Sequence, residues 1–178
     1  PAIEEDMKGC VWIATNKGQV WRSTSTVLSE NTSFVPWTKG IKVNENYRIY
    51  KDRNGCLWLG DEHAGVLYID PVTEKVESYK LAPAGRTNFS ASIRQFCLDS
   101  RNRLWIATAE GLILFDSKGN TSRLVQLEDK GVKVKDVRAV AEDKEGNIWV
   151  GTNLGLKRID VQGTDITLFG NYERDAGL

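Results

Sequence analysis

Four tryptophans recur along the chain at nearly constant intervals. Trp12, Trp58, Trp105 and Trp149 stand 46, 47 and 44 residues apart, and Asp6, Asp52, Asp99 and Asp143 each lie six residues before one of them. Self-similarity at a fixed period of this size marks a repeat architecture, in which each unit buries its apolar face against the next. The repeats divide the chain at approximately 1–46, 47–91, 92–136 and 137–178.

Each repeat has the same internal order. A short apolar or alternating run, such as Val137 to Glu142, leads into a polar turn, Asp-x-x-Gly or its variant Asp99-Ser-Arg-Asn102. Gly or Asn there supplies the positive φ that a tight hairpin needs. A second run carries the Trp, followed by a small residue two positions on (Ala14, Gly60, Ala107, Gly151). A third run opens after Gly18, Gly65, Gly111 or Gly155, and a fourth covers Ser33 to Trp37, Lys75 to Leu81, Thr121 to Leu127 and Asp165 to Phe169. Four short β-branched and aromatic runs per repeat, separated by Gly, Asp and Asn turns, read as antiparallel meander sheets, and helical periodicity is nearly absent. The fold expected is all-β: four four-stranded antiparallel sheets that stack as propeller blades. They form either a closed ring of four or an open arc, a partial propeller whose end faces would self-associate.

Within that frame the repeated residues are scaffold. A Trp in the second strand fills the space between neighbouring blades, burying roughly 150–250 Å² apiece, and the turn Asp bonds backbone N–H groups two residues on. A calcium reading of the turns fails, because the Asp-x-Asp-x-Asp-Gly run of a calcium loop is missing. Trp21 and Trp37 depart from the pattern. Trp21 is aligned with Tyr68, Leu114 and Arg158 in the third strand; burial is favoured for both over an exposed platform for a sugar ring.

Composition narrows the function classes. The 178 residues carry 24 Lys+Arg and 24 Asp+Glu, a net charge of zero, so the usual cationic face of a nucleic-acid or anionic-membrane binder is not expected. Apolar residues at 40% and charged ones at 27% describe a globular chain with a real core. No apolar run approaches the ~20 residues of a membrane helix. The chain begins at Pro1 without Met and is expected to be part of a longer protein. A single His, and three Cys without CxxC spacing, leave no zinc motif, and no cofactor is implied. Cys10 and Cys56 fall at equivalent places in successive repeats, too far apart to bridge, so free thiols are expected at Cys10, Cys56 and Cys97.

Ligand contacts are sought where the repeats differ. In an up-and-down blade, the loop between strands two and three and the connection to the next blade share one face. Loops on a rigid scaffold are where binding usually sits. That face holds the irregular segments Lys39 to Glu45, Pro83 to Ser92 and Gly131 to Lys135, with the loops Asn16-Lys17, Asp61-Glu62-His63, Ala109-Glu110 and Asn153-Leu154. His63, near Arg86 and Asn88 of the next connection, centres the candidate ligand contacts Asp61, His63, Arg86, Asn88, Glu110 and Asn153; solvated loop groups are the alternative. No nucleophile elbow, phosphate loop or metal motif is present, so no catalytic residue is assigned.

The run Ala141-Glu-Asp-Lys-Glu-Gly-Asn-Ile-Trp-Val-Gly-Thr-Asn-Leu-Gly-Leu-Lys-Arg-Ile-Asp160 resembles the two-component regulator propeller repeat, and all four repeats share the likeness. Repeat one departs most, and repeat three has Asn102 for Gly. The resemblance implies a periplasmic, ligand-sensing segment of a membrane-anchored hybrid histidine kinase, with an oligosaccharide as the ligand, the rest of the receptor as its partner, and no catalysis of its own. Two other readings remain: a carbohydrate-active or lyase-type propeller enzyme, whose acid–base pair would come from Asp61, Glu62 and Glu110, and a protein-interaction scaffold.

Overall fold

A computed structural model describes residues 2–15, 17–42, 47–86, 88–129, 131–162 and 165–172. Among these every regular element is a strand. The first sheet is β1 (Ala2–Glu5), β2 (Val11–Ala14), β3 (Val20–Ser23) and β4 (Phe34–Trp37). The second is β5 (Arg48–Lys51), β6 (Leu57–Gly60), β7 (Gly65–Ile69) and β8 (Val76–Lys80). The third is β9 (Ile93–Leu98), β10 (Leu104–Thr108), β11 (Gly111–Asp116) and β12 (Thr121–Val125). A two-stranded ribbon, β13 (Glu128–Asp129) and β14 (Val132–Lys133), precedes the fourth sheet, β15 (Val137–Glu142), β16 (Ile148–Thr152), β17 (Gly155–Gln162) and β18 (Asp165–Tyr172). Each large sheet is an antiparallel meander in chain order, as expected. The ribbon β13–β14 was not anticipated: Gly131 to Lys135 reads as irregular, and two-residue strands leave no periodicity to find.

The chain divides into two compact units, Pro1–Lys80 and Leu81–Leu178, each holding two large sheets. In the first unit, Trp12, Ala14 and Val20 form one cluster with Ile49, Leu57, Leu59, Leu67 and Ile69 of the second sheet. In the second unit, Trp105, Ala107 and Leu112 do the same with Val140, Ile148, Val150, Ile159 and Val161 of the fourth. One rule covers both pairs. The face that bears the Trp packs against the next sheet's other face, the one carrying the residue after its Trp.

The six-residue spacing from Asp to Trp has a direct physical cause. The indole Nε1–H of Trp12, Trp58, Trp105 and Trp149 donates to Asp6, Asp52, Asp99 and Asp143 at 2.8, 2.8, 2.8 and 2.6 Å. The other carboxylate oxygen closes the turn. Asp99 accepts from the N–H groups of Arg101 at 3.0 Å and Arg103 at 2.8 Å. Asp6, Asp52 and Asp143 repeat this on residues two and four positions later. The backbone completes the turn, with Asp99 N–H donating to Arg103 O at 3.0 Å and Asn102 N–H donating to Asp99 O at 3.0 Å. The fourth turn residue takes positive φ as the sequence requires: +87° at Gly9, +80° at Gly55, +83° at Gly146 and +60° at Asn102.

Strand register corrects the alignment of Trp21. Trp12 faces Arg22, just as Trp58 faces Tyr68, Trp105 faces Leu114 and Trp149 faces Arg158. Arg22 therefore holds the Tyr68 place, and its guanidinium lies 5.4 Å from the Trp12 ring centroid. Trp21 faces Ile13 and belongs with Leu67, Ile113 and Lys157. The shift arises in the preceding turn: Thr15 N–H bonds to Gln19 O as Asp61 N–H bonds to Gly65 O, so Gly18 lies inside the turn and Gln19 ends it. Trp37 is half-buried, 4.8 Å from Trp12 at a tilt of 58°, and Trp21 is half-buried on the opposite face. The three cysteines are free thiols, Cys10 and Cys56 buried and Cys97 half-buried.

Asp99→Ala leaves the buried Trp105 N–H and two backbone N–H groups without their acceptor. It should lower stability by about 3 kcal/mol or more, at about 1–3 kcal/mol per orphaned group, read by urea unfolding. At Asp143 the Trp149 indole bond, with help from Asn147, holds the carboxyl down at about 2. A depressed native pKa contributes stability that is present above the unfolded value near 3.9 and lost as pH falls through the folded one. The melting-temperature gap between the wild type and Asp143→Asn should therefore hold at pH 5–7 and close between about pH 4 and 2.

Candidate functional site

In the first unit, Asp61 stands where the other repeats have Thr15, Thr108 and Thr152. Those hydroxyls serve the β–β turn: Thr108 Oγ1 donates to Gly111 O at 2.7 Å and accepts from Glu110 N–H at 3.2 Å, with Thr152 equivalent. Asp61 has the same task. It is 2% exposed and accepts from His63 N–H at 2.8 Å and Gly65 N–H at 2.5 Å. A Cβ at Gly65 would run into this carboxylate, so the pair specifies the turn. Lys42 Nζ lies 3.8 Å from it. His63 is exposed at the turn's tip. Asn16 lies outside the described residues, as does part of Lys39 to Glu45.

The second unit brings three of the expected contacts together. The segment that leads into β9, Leu81 to Ser92, coils through Arg86 N–H to Pro83 O at 2.9 Å and Phe89 N–H to Arg86 O at 3.2 Å. Phe89 is buried and anchors the segment, which leaves Arg86, Asn88 and Ser90 exposed. The turn between β10 and β11 is fastened on both sides: Ala109 N–H donates to Ser92 O at 3.1 Å, and Asp136 N–H donates to Ala109 O at 3.0 Å. Glu110 is thereby held between two connections. Its Oε2 lies 3.4 Å from Lys135 Nζ and 3.9 Å from an Arg86 guanidinium nitrogen.

Gly85, Arg86, Asn88, Phe89, Ser90 and Glu110 line an open depression of about 370 Å³. Arg86 and Glu110 also border a narrower crevice that reaches Lys133 and Lys135. Asn153, exposed in the β16–β17 turn, lines neither. The depression offers guanidinium donors, an amide, a hydroxyl and one carboxylate beside an aromatic edge. Such a surface can hydrogen-bond a hydroxylated ligand. Among the described residues that line it, Glu110 is the one carboxylate. The sequence puts the segments of Ser90, Lys133 and Lys135 on this face, but these residues are not among its candidate contacts, since connections without a repeat pattern do not show which side chains meet. The Arg94–Asp136 pair at 2.6 Å and the Arg138–Asp136 pair at 3.1 Å, which brace the rim, were missed for the same reason.

The model of the two component regulator propeller family matches residues 40–63, 89–110 and 131–154. Each match ends in the turn after a Trp strand. The three matched segments, one in each of the second, third and fourth sheets' repeats, are similar to that family's repeat. Among curated proteins it is similar to Histidine kinase P4 of Formosa agariphila, at 25% identity across 88% of this chain; it spans 15% of that relative's length. Among solved structures it is similar to the extracellular domain of the hybrid two component system BT4673 from B. thetaiotaomicron, with TM-score 0.71 and 21% identity over 94% of this chain and 24% of that one. Virginiamycin B lyase from Staphylococcus aureus gives TM-score 0.67 and 16% identity over 94% of this chain and 54% of that one. At these identities the structural likenesses define the propeller fold, and the four sheets are its blades.

Asp61 and Glu110 should behave oppositely when altered. Asp61→Ala orphans two N–H groups and should cost about 2 kcal/mol or more, whereas Glu110→Gln, half-buried and held only by long ion pairs to solvent-exposed Lys135 and Arg86, should stay within about 0.5 kcal/mol in chemical denaturation.

Proposed function

We propose that this chain is a ligand-sensing propeller segment of the extracytoplasmic, periplasmic part of a hybrid two-component sensor histidine kinase, and that it performs no catalysis itself. The observation that carries the reading is the repeat family. Three of the four blades match the two component regulator propeller model, and the likeness to Histidine kinase P4 runs through 88% of the chain. The ligand proposed is an oligosaccharide, taken up at the Arg86–Asn88–Glu110 depression. Its volume of about 370 Å³ lies within the ~300–1,000 Å³ of ordinary ligand sites. Its side chains alternate donor and acceptor in the way sugar hydroxyls require. Sensing then means that bound sugar ties the Pro83–Ser92 connection to the β10–β11 turn.

The lyase likeness favours a second reading, an enzyme fragment. Against it stand the single carboxylate in the depression and the single His of the whole chain.

Calorimetry of the 178-residue chain against a panel of oligosaccharides, from plant, algal and host polysaccharide digests, tests both. Heat of binding from one class, lost at least tenfold in Arg86→Ala and Glu110→Gln with unchanged melting temperature, is the expected result. Release of shorter products on prolonged incubation supports the enzyme instead, and no heat from any class overturns the sugar reading.

A further inference from the structure

The depression of the second unit and the crevice beside it carry more positive charge than their carboxylate answers. Arg86 comes from the segment before β9 and Lys135 from the segment before β15, and both approach one oxygen, Glu110 Oε2, at 3.9 and 3.4 Å. Both distances exceed the ~2.7–2.9 Å of a full charge-assisted hydrogen bond, so one carboxylate serves two cations loosely. The neighbouring rim differs. Arg94 and Arg138 share Asp136 at 2.6 and 3.1 Å and are committed to it. Lys133, which also lines the crevice, stands opposite Glu128 in the ribbon, a cross-strand neighbour that offsets its charge. The surplus therefore falls on Arg86 and Lys135. Both are held in place by their backbone. Arg86 N–H donates to Pro83 O and its carbonyl accepts from Phe89 N–H. Lys135 lies between Val134, whose N–H donates to Leu127 O at 2.8 Å, and Asp136, whose N–H donates to Ala109 O at 3.0 Å. The buried Val125, Leu127 and Val134 line the crevice with them. Charges of one sign beside a low-dielectric wall focus their field on the cleft and draw in a ligand of the opposite sign.

We propose that this site takes an anionic glycan, with a carboxylate or sulfate group of the sugar seated between Arg86 and Lys135 and its hydroxylated ring in the depression beside Asn88 and Ser90. The ligand class rests on the oligosaccharide reading of the same depression and narrows it. A neutral sugar leaves the surplus charge unanswered. An oxyanion takes up the two cations, and Glu110 is then released to accept a sugar hydroxyl. The two cations come from different connections, so the bound oxyanion ties the segment before β9 to the segment before β15.

Calorimetry of the 178-residue chain against three oligosaccharides of matched length tests it: a neutral galactan, an oligogalacturonide and a sulfated galactan. At least one of the two anionic ligands should bind roughly tenfold or more tighter than the neutral one. That preference should fade on going to about 0.5 M sodium chloride, where exposed charges are screened. Which anionic ligand prevails names the group, carboxylate or sulfate. Lys135→Gln should weaken the preferred ligand by about fivefold or more at unchanged melting temperature, and Lys135→Arg should keep it. Equal affinity for all three, or an anionic ligand that Lys135→Gln leaves unaffected, overturns the anionic class and leaves the oligosaccharide reading in place. No heat from either anionic ligand overturns it as well, and binding by any neutral member of the wider oligosaccharide panel then decides the sugar reading separately.

Discussion

One carboxylate in each repeat joins the local fold to the packing between blades. Its Oδ1 accepts the turn's own N–H groups, and its Oδ2 accepts the indole N–H of the Trp six residues later. A Trp placed between sheets has to satisfy its N–H away from water, since an unpaired buried donor is costly. The turn Asp supplies the acceptor, and the turn in turn gains a carboxylate fixed in position. Hairpin geometry and ring orientation therefore specify each other. The remaining acceptor capacity of the carboxylate is met differently in three of the blades: by Arg22 at 3.8 Å in the first, Arg103 at 2.6 Å in the third and Asn147 at 2.9 Å in the fourth. Those partners differ in sequence because only the Asp–Trp pair has to recur.

With the ring held this way, its flat side becomes the platform for the adjoining sheet, and the small residue two positions on admits close approach. Arg22 and Arg103 sit 5.4 Å from the ring centroids of Trp12 and Trp105, adding cation–π attraction at the rim of each stack. On the side opposite this lock the recurring structural duty falls to one turn-closing residue per blade, such as Asp61, Thr108 or Thr152. There the connections vary, and there Arg86, Asn88 and Glu110 are held outward by a buried Phe89 and by two backbone bonds through Ala109. Rigid blades and variable connections are the division of labour that lets one scaffold present different binding surfaces.

Much of this was legible beforehand. The spacing of Trp and Asp, the Gly or Asn of the turns and the four apolar runs per repeat give sheet number, strand order and the positive-φ positions, because each depends on residues near in sequence. The register of the first repeat was not legible: Gly18 imitates Gly65, and only the Thr15–Gln19 turn bond shows that the strand starts one residue later, turning Trp21 to the other face. Among the candidate contacts, Asp61 groups with Glu110 as ligand-facing, although its place in the repeat is that of Thr108. It differs because its carboxylate reaches the N–H of Gly65, a choice made by a turn one residue longer than that of the third blade.

The sequence by itself determined the repeat, the fold class and the scaffold role of the recurrent Trp and Asp. These follow from period, turn chemistry and apolar alternation, all of them local. Only the tertiary structure decided which loop residues meet. Lys135 reaches Glu110 from another connection, and Asp61 turns inward. Such outcomes depend on contacts between residues distant in the chain, and nothing in the spacing of a repeat encodes them.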